Sequence, residues 1–220
     1  MGCSGSSVKP ENKKKKIAVI FYSTYGHLFE LAEQIAKGAR THPDVEQVDL
    51  FRVEETLPDE VIGKMGGLEV RKKWMDLPVV DHKTLDQYDG LAFGTPTRFG
   101  GVAAQFKTFL DRLGQHWMSG SLVGKLGTCF SSSGEQHGGN EMTLITLMVP
   151  MLHLGMGVVG LPSSEYVQKK ENLKTEVSGG TPYGMTSIAG NNRKVSSNEL
   201  DGGFFQGQFF ARMVTRAKPE

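Results

Sequence analysis

Three short stretches of this chain carry side chains suited to holding a phosphorylated, aromatic ligand. Ser23-Thr24-Tyr25-Gly26-His27 offers three hydroxyls and a glycine just ahead of an apolar-periodic run that starts at Leu28. Unpaired amides and the positive end of a helix dipole make such a turn a natural seat for a phosphate. The stretch has neither the Gly-x-Gly-x-x-Gly spacing of dinucleotide sites nor the Lys of a P-loop. A monophosphate therefore suits it better than a di- or triphosphate, although an ordinary helix cap uses the same residue types. In Gly94-Thr-Pro-Thr-Arg-Phe-Gly100, Pro96 stiffens the turn, while Arg98 and Phe99 supply a cation and an aromatic face. Gly100 and Gly101 let the backbone approach a ring closely. The third stretch, Ser131 to Gly139, joins three serines to Gly134, Gly138 and Gly139, a composition able to clasp the polar edge of a heterocycle with main-chain groups.

Positioning these stretches requires strands and helices in alternation. Ile17 to Tyr22 is apolar on both faces, as a strand inside a parallel sheet must be. Leu28, Leu31, Ala32, Ile35 and Ala36 mark one face of a following helix, with Gly38 near its end. Val45–Val53 reads as a second strand, which gives a right-handed βαβ unit. Residues 54–85 read as irregular, with one short helix. Tyr88–Phe93 is a strand stopped at Gly94, and a helix follows through Phe106, Phe109, Leu110 and Leu113. Leu126–Ser131 is the next strand, Met142–Leu154 a helix interrupted in pattern by Pro150, and Met156–Val159 the last strand. A polar, Gly-rich loop runs from Pro162 to Leu200, and Phe204–Val214 closes the chain as a helix. About five strands alternating with helices make one α/β doubly wound domain. In an open parallel sheet ligands bind beyond the carboxyl ends of the strands, so all three stretches fall at one edge.

Composition narrows the function classes. The 220 residues are 38% hydrophobic, with 25 Lys and Arg against 24 Asp and Glu for a net charge of +1. That balance gives no field for nucleic acid. Two cysteines, Cys3 and Cys129, exclude a disulfide scaffold and a cysteine-rich zinc cluster, and fit a reducing compartment. Cys129, inside a strand, reads as a buried small apolar residue. No apolar run reaches the roughly 20 residues of a membrane span, and no secretory signal pattern stands at the start. The expectation is a soluble, cytoplasmic body.

Tyr22-Ser-Thr-Tyr-Gly-His27, Phe93-Gly-Thr-Pro-Thr-Arg-Phe-Gly100, Phe130-Ser-Ser-Ser-Gly134 and Gly179-Gly-Thr-Pro-Tyr-Gly184 resemble the WrbA-type NAD(P)H:quinone oxidoreductases. The resemblance spans nearly all of residues 17–220. It implies a flavodoxin-like fold, a five-stranded parallel sheet with helices on both faces, bound FMN, and NADH or NADPH as electron donor. It also implies two-electron reduction of quinones to hydroquinones, a protective role in oxidative stress, and a homodimer or homotetramer with active sites near subunit contacts. Carried onto this chain, Ser23, Thr24, Tyr25, Gly26, His27 and Leu28 bind the FMN phosphate. Pro96, Thr97, Arg98 and Phe99 line the ribityl chain and ring, and Ser132, Ser133, Gly134, Glu135, Gln136 and His137 form the third loop. Tyr25 sits near the nicotinamide and Trp117 borders the substrate pocket. The family's Leu-Ala-His-His-Gly-Met run falls on Leu152-His-Leu-Gly-Met156, which makes His153 the candidate for hydrogen bonding or proton exchange near the flavin, with Leu154 replacing the second His. The third loop is one residue longer than the bacterial pattern. A histidine or tryptophan at these positions also serves as ordinary core or interface packing.

Residues 1–16 read as a disordered tail outside the domain. Met1-Gly-Cys-Ser-Gly-Ser6 meets the requirements for myristoylation at Gly2, with Cys3 a palmitoylation candidate. Lys13–Lys16 would add a polybasic patch, giving peripheral attachment to the cytoplasmic face of a plasma membrane. Two other functions use the same fold: a single-electron carrier, which a strongly acidic face would favour, and a non-enzymatic scaffold, which an acylated tail would suit.

Overall fold

A computed structural model of the chain describes residues 13–166, 176–190 and 192–217. The elements run β1 (Lys15–Phe21), α1 (His27–Arg40), β2 (Val45–Arg52), α2 (Asp59–Lys64), α3 (Leu68–Arg71), a 3-10 helix (His82–Gln87), β3 (Gly90–Arg98), β4 (Gly101–Val102), α4 (Ala104–Asp111), α5 (Gly114–Ser119), β5 (Leu126–Ser133), α6 (Asn140–His153), β6 (Gly157–Val158), α7 (Ser163–Tyr166), β7 (Gly184–Ile188) and α8 (Ser197–Arg216). The sheet order is β2-β1-β3-β5-β6, all parallel, with β4 hairpinned onto β3 and β7 pairing β5 in parallel. β1 is an inner strand beside the central β3, and its alternation divides the core. Ile17, Val19 and Phe21 face α1 and α8, whereas Ala18 and Ile20 face the layer of α4 and α6. On that second face Phe93, Phe106 and Phe109 meet edge to face with centroids 5.5–5.9 Å apart.

The helix pair α1–α8 packs backbone to backbone. A Cβ on Gly38 would stand 2.0 Å from the Phe204 carbonyl oxygen, and one on Gly207 would stand 2.0 Å from that of Ile35. Gly38 therefore serves close helix packing within α1, which continues to Arg40.

The fifth position of the sheet is divided between two short strands. β6 pairs with Leu126 and Gly127 at the start of β5, and β7 pairs with residues 129–133 at its end. The stretch expected to be one polar loop, 162–200, thus contains a fully buried strand at Gly184–Ile188, and α8 starts at Ser197 rather than Phe204. β3 also runs further than its composition suggests. Thr95 and Pro96 pair with Ser131 and Ser132 inside the sheet, so Pro96 extends a strand instead of stiffening a turn. Residues 54–85 form α2, α3 and the 3-10 helix, where one short helix was expected. α6 continues through Pro150.

At the chain's start, strand β1 takes in Lys15 and Lys16. The Lys15 ammonium lies 3.1 Å from Asp89 and that of Lys16 3.9 Å from Glu46. Half of the expected polybasic patch is therefore sheet, and the first strand begins two residues earlier than expected. Gly2 and Cys3 lie outside the described residues. No described helix is long and apolar enough to cross a membrane.

Candidate functional site

The carboxyl ends of β1, β3 and β5 open into one cleft of about 320 Å³. Ser23, Thr24, Tyr25, His27 and Leu28 form one wall, Pro96, Thr97 and Arg98 a second, and Ser132, Ser133 and Gly134 a third. The convergence expected from strand order is present. Two lining residues were missed, Ala189 and Gly190, on the turn after β7. Their types carry no chemical signal; only the strand ahead of them would have placed them.

The first wall presents an uncapped helix N-terminus. Gly26 precedes α1 with φ +98°, a left-handed conformation that a side chain resists. Its amide donates to Ser23 Oγ at 3.0 Å, so the serine bonds within the turn and no side chain caps the helix. The amides of His27, Leu28 and Phe29 have no partner within α1, and they carry the positive end of its dipole. Thr24 Oγ1 accepts from Arg98 Nη2 at 2.9 Å, which ties the first wall to the second. His27 Nε2 donates to the Arg193 carbonyl at 2.7 Å, and its Nδ1 is buried without a partner. On the third wall Asn140 Nδ2 donates to Ser133 Oγ at 2.8 Å, while Asn140 Oδ1 is likewise unpartnered. Uncapped helix amides and an orphaned polar atom at the cleft fit a ligand with a phosphate and a hydrogen-bonding ring edge, as FMN has.

A buried carboxylate supports the turn that was missed. Glu199 is fully buried and accepts from the amides of Gly179, Ile188 and Ser196 and from Arg193 Nη1, all at 2.8–3.0 Å. It holds both ends of the segment bearing Ala189 and Gly190, and the Ala189 amide donates to the Ser133 carbonyl at 2.7 Å. The cleft wall is thus fastened to β5.

Several expected residues lie elsewhere. Phe99 stands at the tip of the β3–β4 hairpin with φ +54°, fully exposed and outside the cleft lining. Glu135, Gln136 and His137 are exposed beyond Gly134, also outside it. His153 and Trp117 are brought together, but in an open hollow of about 410 Å³ with Leu110, Val149 and Pro150. The cause is the direction of α6. Its first residue, Asn140, is bonded to Ser133 of the cleft wall and His153 is its last, about 20 Å further along at 1.5 Å per residue. Within one chain neither residue reaches the cleft. Cys129 is fully buried and burial pushes its thiol far above the ordinary range, in keeping with a packing role.

Known proteins resemble this chain over most of its length. Residues 16–166 match the family of NADPH-dependent FMN reductases. A protein of Aromatoleum aromaticum named NAD(P)H dehydrogenase (quinone) is 44% identical over 202 residues, 91% of this chain and 96% of that one. One of the same name from Methanosarcina acetivorans is 46% identical, covering 88% of this chain and 93% of its own. A WrbA-like flavodoxin structure from Agrobacterium tumefaciens superposes with a TM-score of 0.63 at 22% identity, over 93% of this chain and all of that one. Flavodoxin 1 of Bacillus cereus superposes at 0.54 with 17% identity, over 90% and 97%. With the flavodoxin-like fold, the three-walled cleft and these relatives in agreement, the chain belongs to the NADPH-dependent FMN reductase family, among its WrbA-type NAD(P)H:quinone oxidoreductases.

Proposed function

We propose that this chain binds FMN in the three-walled cleft and uses NADH or NADPH to reduce quinones to hydroquinones by two electrons. The observation that carries the reading is the uncapped N-terminus of α1 opening into that cleft, beside the cation of Arg98. The amides after Gly26 and the Ser23 hydroxyl hold the phosphate. Thr24 contributes its backbone, because its hydroxyl is engaged by Arg98. Pro96, Thr97 and Arg98 face Ser132, Ser133 and Gly134 across the space for the ribityl chain and ring, with Ala189 and Gly190 closing one side. Bound FMN supplies the electron transfer itself. The chain's part is to fix the ring, to place Arg98 where negative charge accumulates on reduction, and to leave Tyr25, half exposed at the mouth, against the nicotinamide or quinone.

The working form is a homodimer or homotetramer in which a neighbouring copy closes the mouth. Trp117 is 64% exposed on a surface with Met118, Val149 and Leu152, apolar area that favours burial. Trp117 and His153 of that copy, with Phe99 reaching across, border the quinone, His153 serving hydrogen bonding or proton exchange. A protective role against quinone redox cycling follows from two-electron chemistry. Myristoylation at Gly2 with acylation at Cys3 would hold the enzyme at the cytoplasmic face of a membrane, aided by Lys13 and Lys14; Gly2→Ala would then release it to the soluble fraction.

The absorbance spectrum of the purified protein tests the reading. Flavin bands that bleach with NADH and return with benzoquinone, with turnover, are expected. A colourless protein that stays colourless in excess FMN would refute it.

A further inference from the structure

The cation of the cleft is held from behind by a chain of hydrogen bonds ending on a carboxylate outside it. Arg98 Nη2 donates to Thr24 Oγ1 at 2.9 Å. Thr24 Oγ1 donates to the Tyr22 phenol oxygen at 3.5 Å, and that phenol donates to Glu55 Oε2 at 2.9 Å. The proton order follows from the two ends. A guanidinium cannot accept and a carboxylate cannot donate, so both hydroxyls point away from Arg98 and toward Glu55. Glu55 is pinned in turn: Gln105 Nε2 donates to its Oε1 at 2.7 Å, and the amides of Thr56 and Leu57 do so at 2.9 and 3.1 Å. Tyr22 and Thr24 are buried, and Glu55 does not line the cleft.

We infer that Glu55 is a positioning residue for the flavin site, acting through the Tyr22 and Thr24 hydroxyls to hold the Arg98 guanidinium against the cleft wall. The inference rests on the flavin reading given above. Its logic is one of direction. With Glu55 in place, the phenol proton is drawn to the carboxylate, a phenol lone pair takes the Thr24 proton, and a Thr24 lone pair is left facing Arg98. Without the phenol, the Thr24 proton has no acceptor behind it and the threonine rotor can turn, so the guanidinium loses its fixed partner at Nη2 and is held only by the Thr97 carbonyl, 2.9 Å from Nη1. The relay is intact across the physiological range, because burial above all raises the Tyr22 phenol to about 12.

The test measures FMN binding to the apoprotein by quenching of flavin fluorescence, and the midpoint potential of the bound flavin against reference dyes. Variants are Tyr22→Phe, Glu55→Ala, Glu55→Gln and Arg98→Met, with Tyr22→Phe and Glu55→Ala each repeated in the Arg98→Met background. Tyr22→Phe and Glu55→Ala should each weaken FMN several-fold, the scale of one net hydrogen bond. Glu55→Gln must keep its one oxygen for the three donors at Oε1 and turn its NH₂ to the phenol, so it should lose affinity as Glu55→Ala does. Tyr22→Phe changes no charge, yet should move the midpoint potential in the same direction as Arg98→Met. In the Arg98→Met background neither substitution should add, the signature of action through Arg98. Equal losses with and without Arg98, or wild-type affinity and potential in Tyr22→Phe, would overturn the inference. Failure of the wild-type chain to take up FMN would overturn the flavin reading itself and is recognised separately.

Discussion

Replacing Glu199 by Gln should cost the fold about 3 kcal/mol, and the estimate can be built donor by donor. Oε1 accepts from the amides of Gly179 and Ile188 and from Arg193 Nη1, while Oε2 accepts from the Ser196 amide and Arg193 Nη1. A glutamine must put its NH₂ on one side or the other. The gentler choice is the Oε2 side, which leaves the Ser196 amide facing a donor, at about 1–3 kcal/mol for a buried group without its acceptor. Losing the charge from a fully buried pair typically costs about 3–5 kcal/mol. Here the Arg193 side chain is 24% exposed and keeps the carbonyls of Ile188 and Val177, so about 1–2 kcal/mol is the appropriate share. For a domain of this size about 3 kcal/mol lowers the melting temperature by about 6–12 °C. Urea melts of Glu199→Gln, Arg193→Met and the double variant provide the assay. Arg193→Met should be worse than Glu199→Gln, since it strands a carboxylate with no solvent contact, and the double variant should cost less than the sum. A loss below about 1 kcal/mol for Glu199→Gln, or additive single effects, would refute this account of the clamp.

Other expectations concern the cleft and the core. Gly26→Ala forces an alanine to φ +98° with its Cβ 3.3 Å from Val70, a strain of about 1–2 kcal/mol that should weaken FMN binding about tenfold if the turn moves to relieve it; fluorescence titration at unchanged affinity would contradict it. Gly94→Ala places a Cβ 2.2 Å from the Phe130 ring, which is fully buried, and overpacking of this kind should remove about 2 kcal/mol in a denaturant melt. The phenols of Tyr22, Tyr88 and Tyr166 are raised chiefly by burial, with carboxylates adding to the effect at each. A raised tyrosine stabilises the fold fully below its unfolded value near 10 and loses that contribution as pH climbs toward the folded value, so ultraviolet titration should show these phenolates only above about pH 11 or on alkaline unfolding.

Much of the cleft was legible because its residues do local jobs. Buried apolar runs marked β1, β3 and β5, and parallel-strand topology then placed the three loops at one edge. What stayed illegible depended on distant partners. Gly184–Ile188 is a strand because Cys129 to Ser133 offers it a ladder, and five residues of mixed polarity carry no period that reveals this. The early start of α8 had a readable mark, Ser196-Ser-Asn-Glu199, whose reciprocal capping box is formed. Three glycines at 202, 203 and 207 obscured it, since their role is the approach to α1 and Met185. His153 and Trp117 were grouped with the cleft by family likeness; the length of α6 carries His153 away from it, to the hollow where α5 places Trp117. Thr24 was expected to offer its hydroxyl outward; Arg98 and Tyr22 claim it first.

Strand β1 enters the sheet at Lys15 on the edge opposite the one where the cleft opens, with the full depth of the sheet, about 23 Å for seven residues, between them. A support that gripped the chain close against Lys15 would lie on the side of the sheet away from the mouth. Substrates would then arrive from the bulk side, and a quinone dissolved in a membrane used as that support would have to leave it and round the flank of the domain. Short-chain, water-soluble quinones meet that geometry without detour. A redox sensor that held the protein close against Lys15 would present the cleft to the sample.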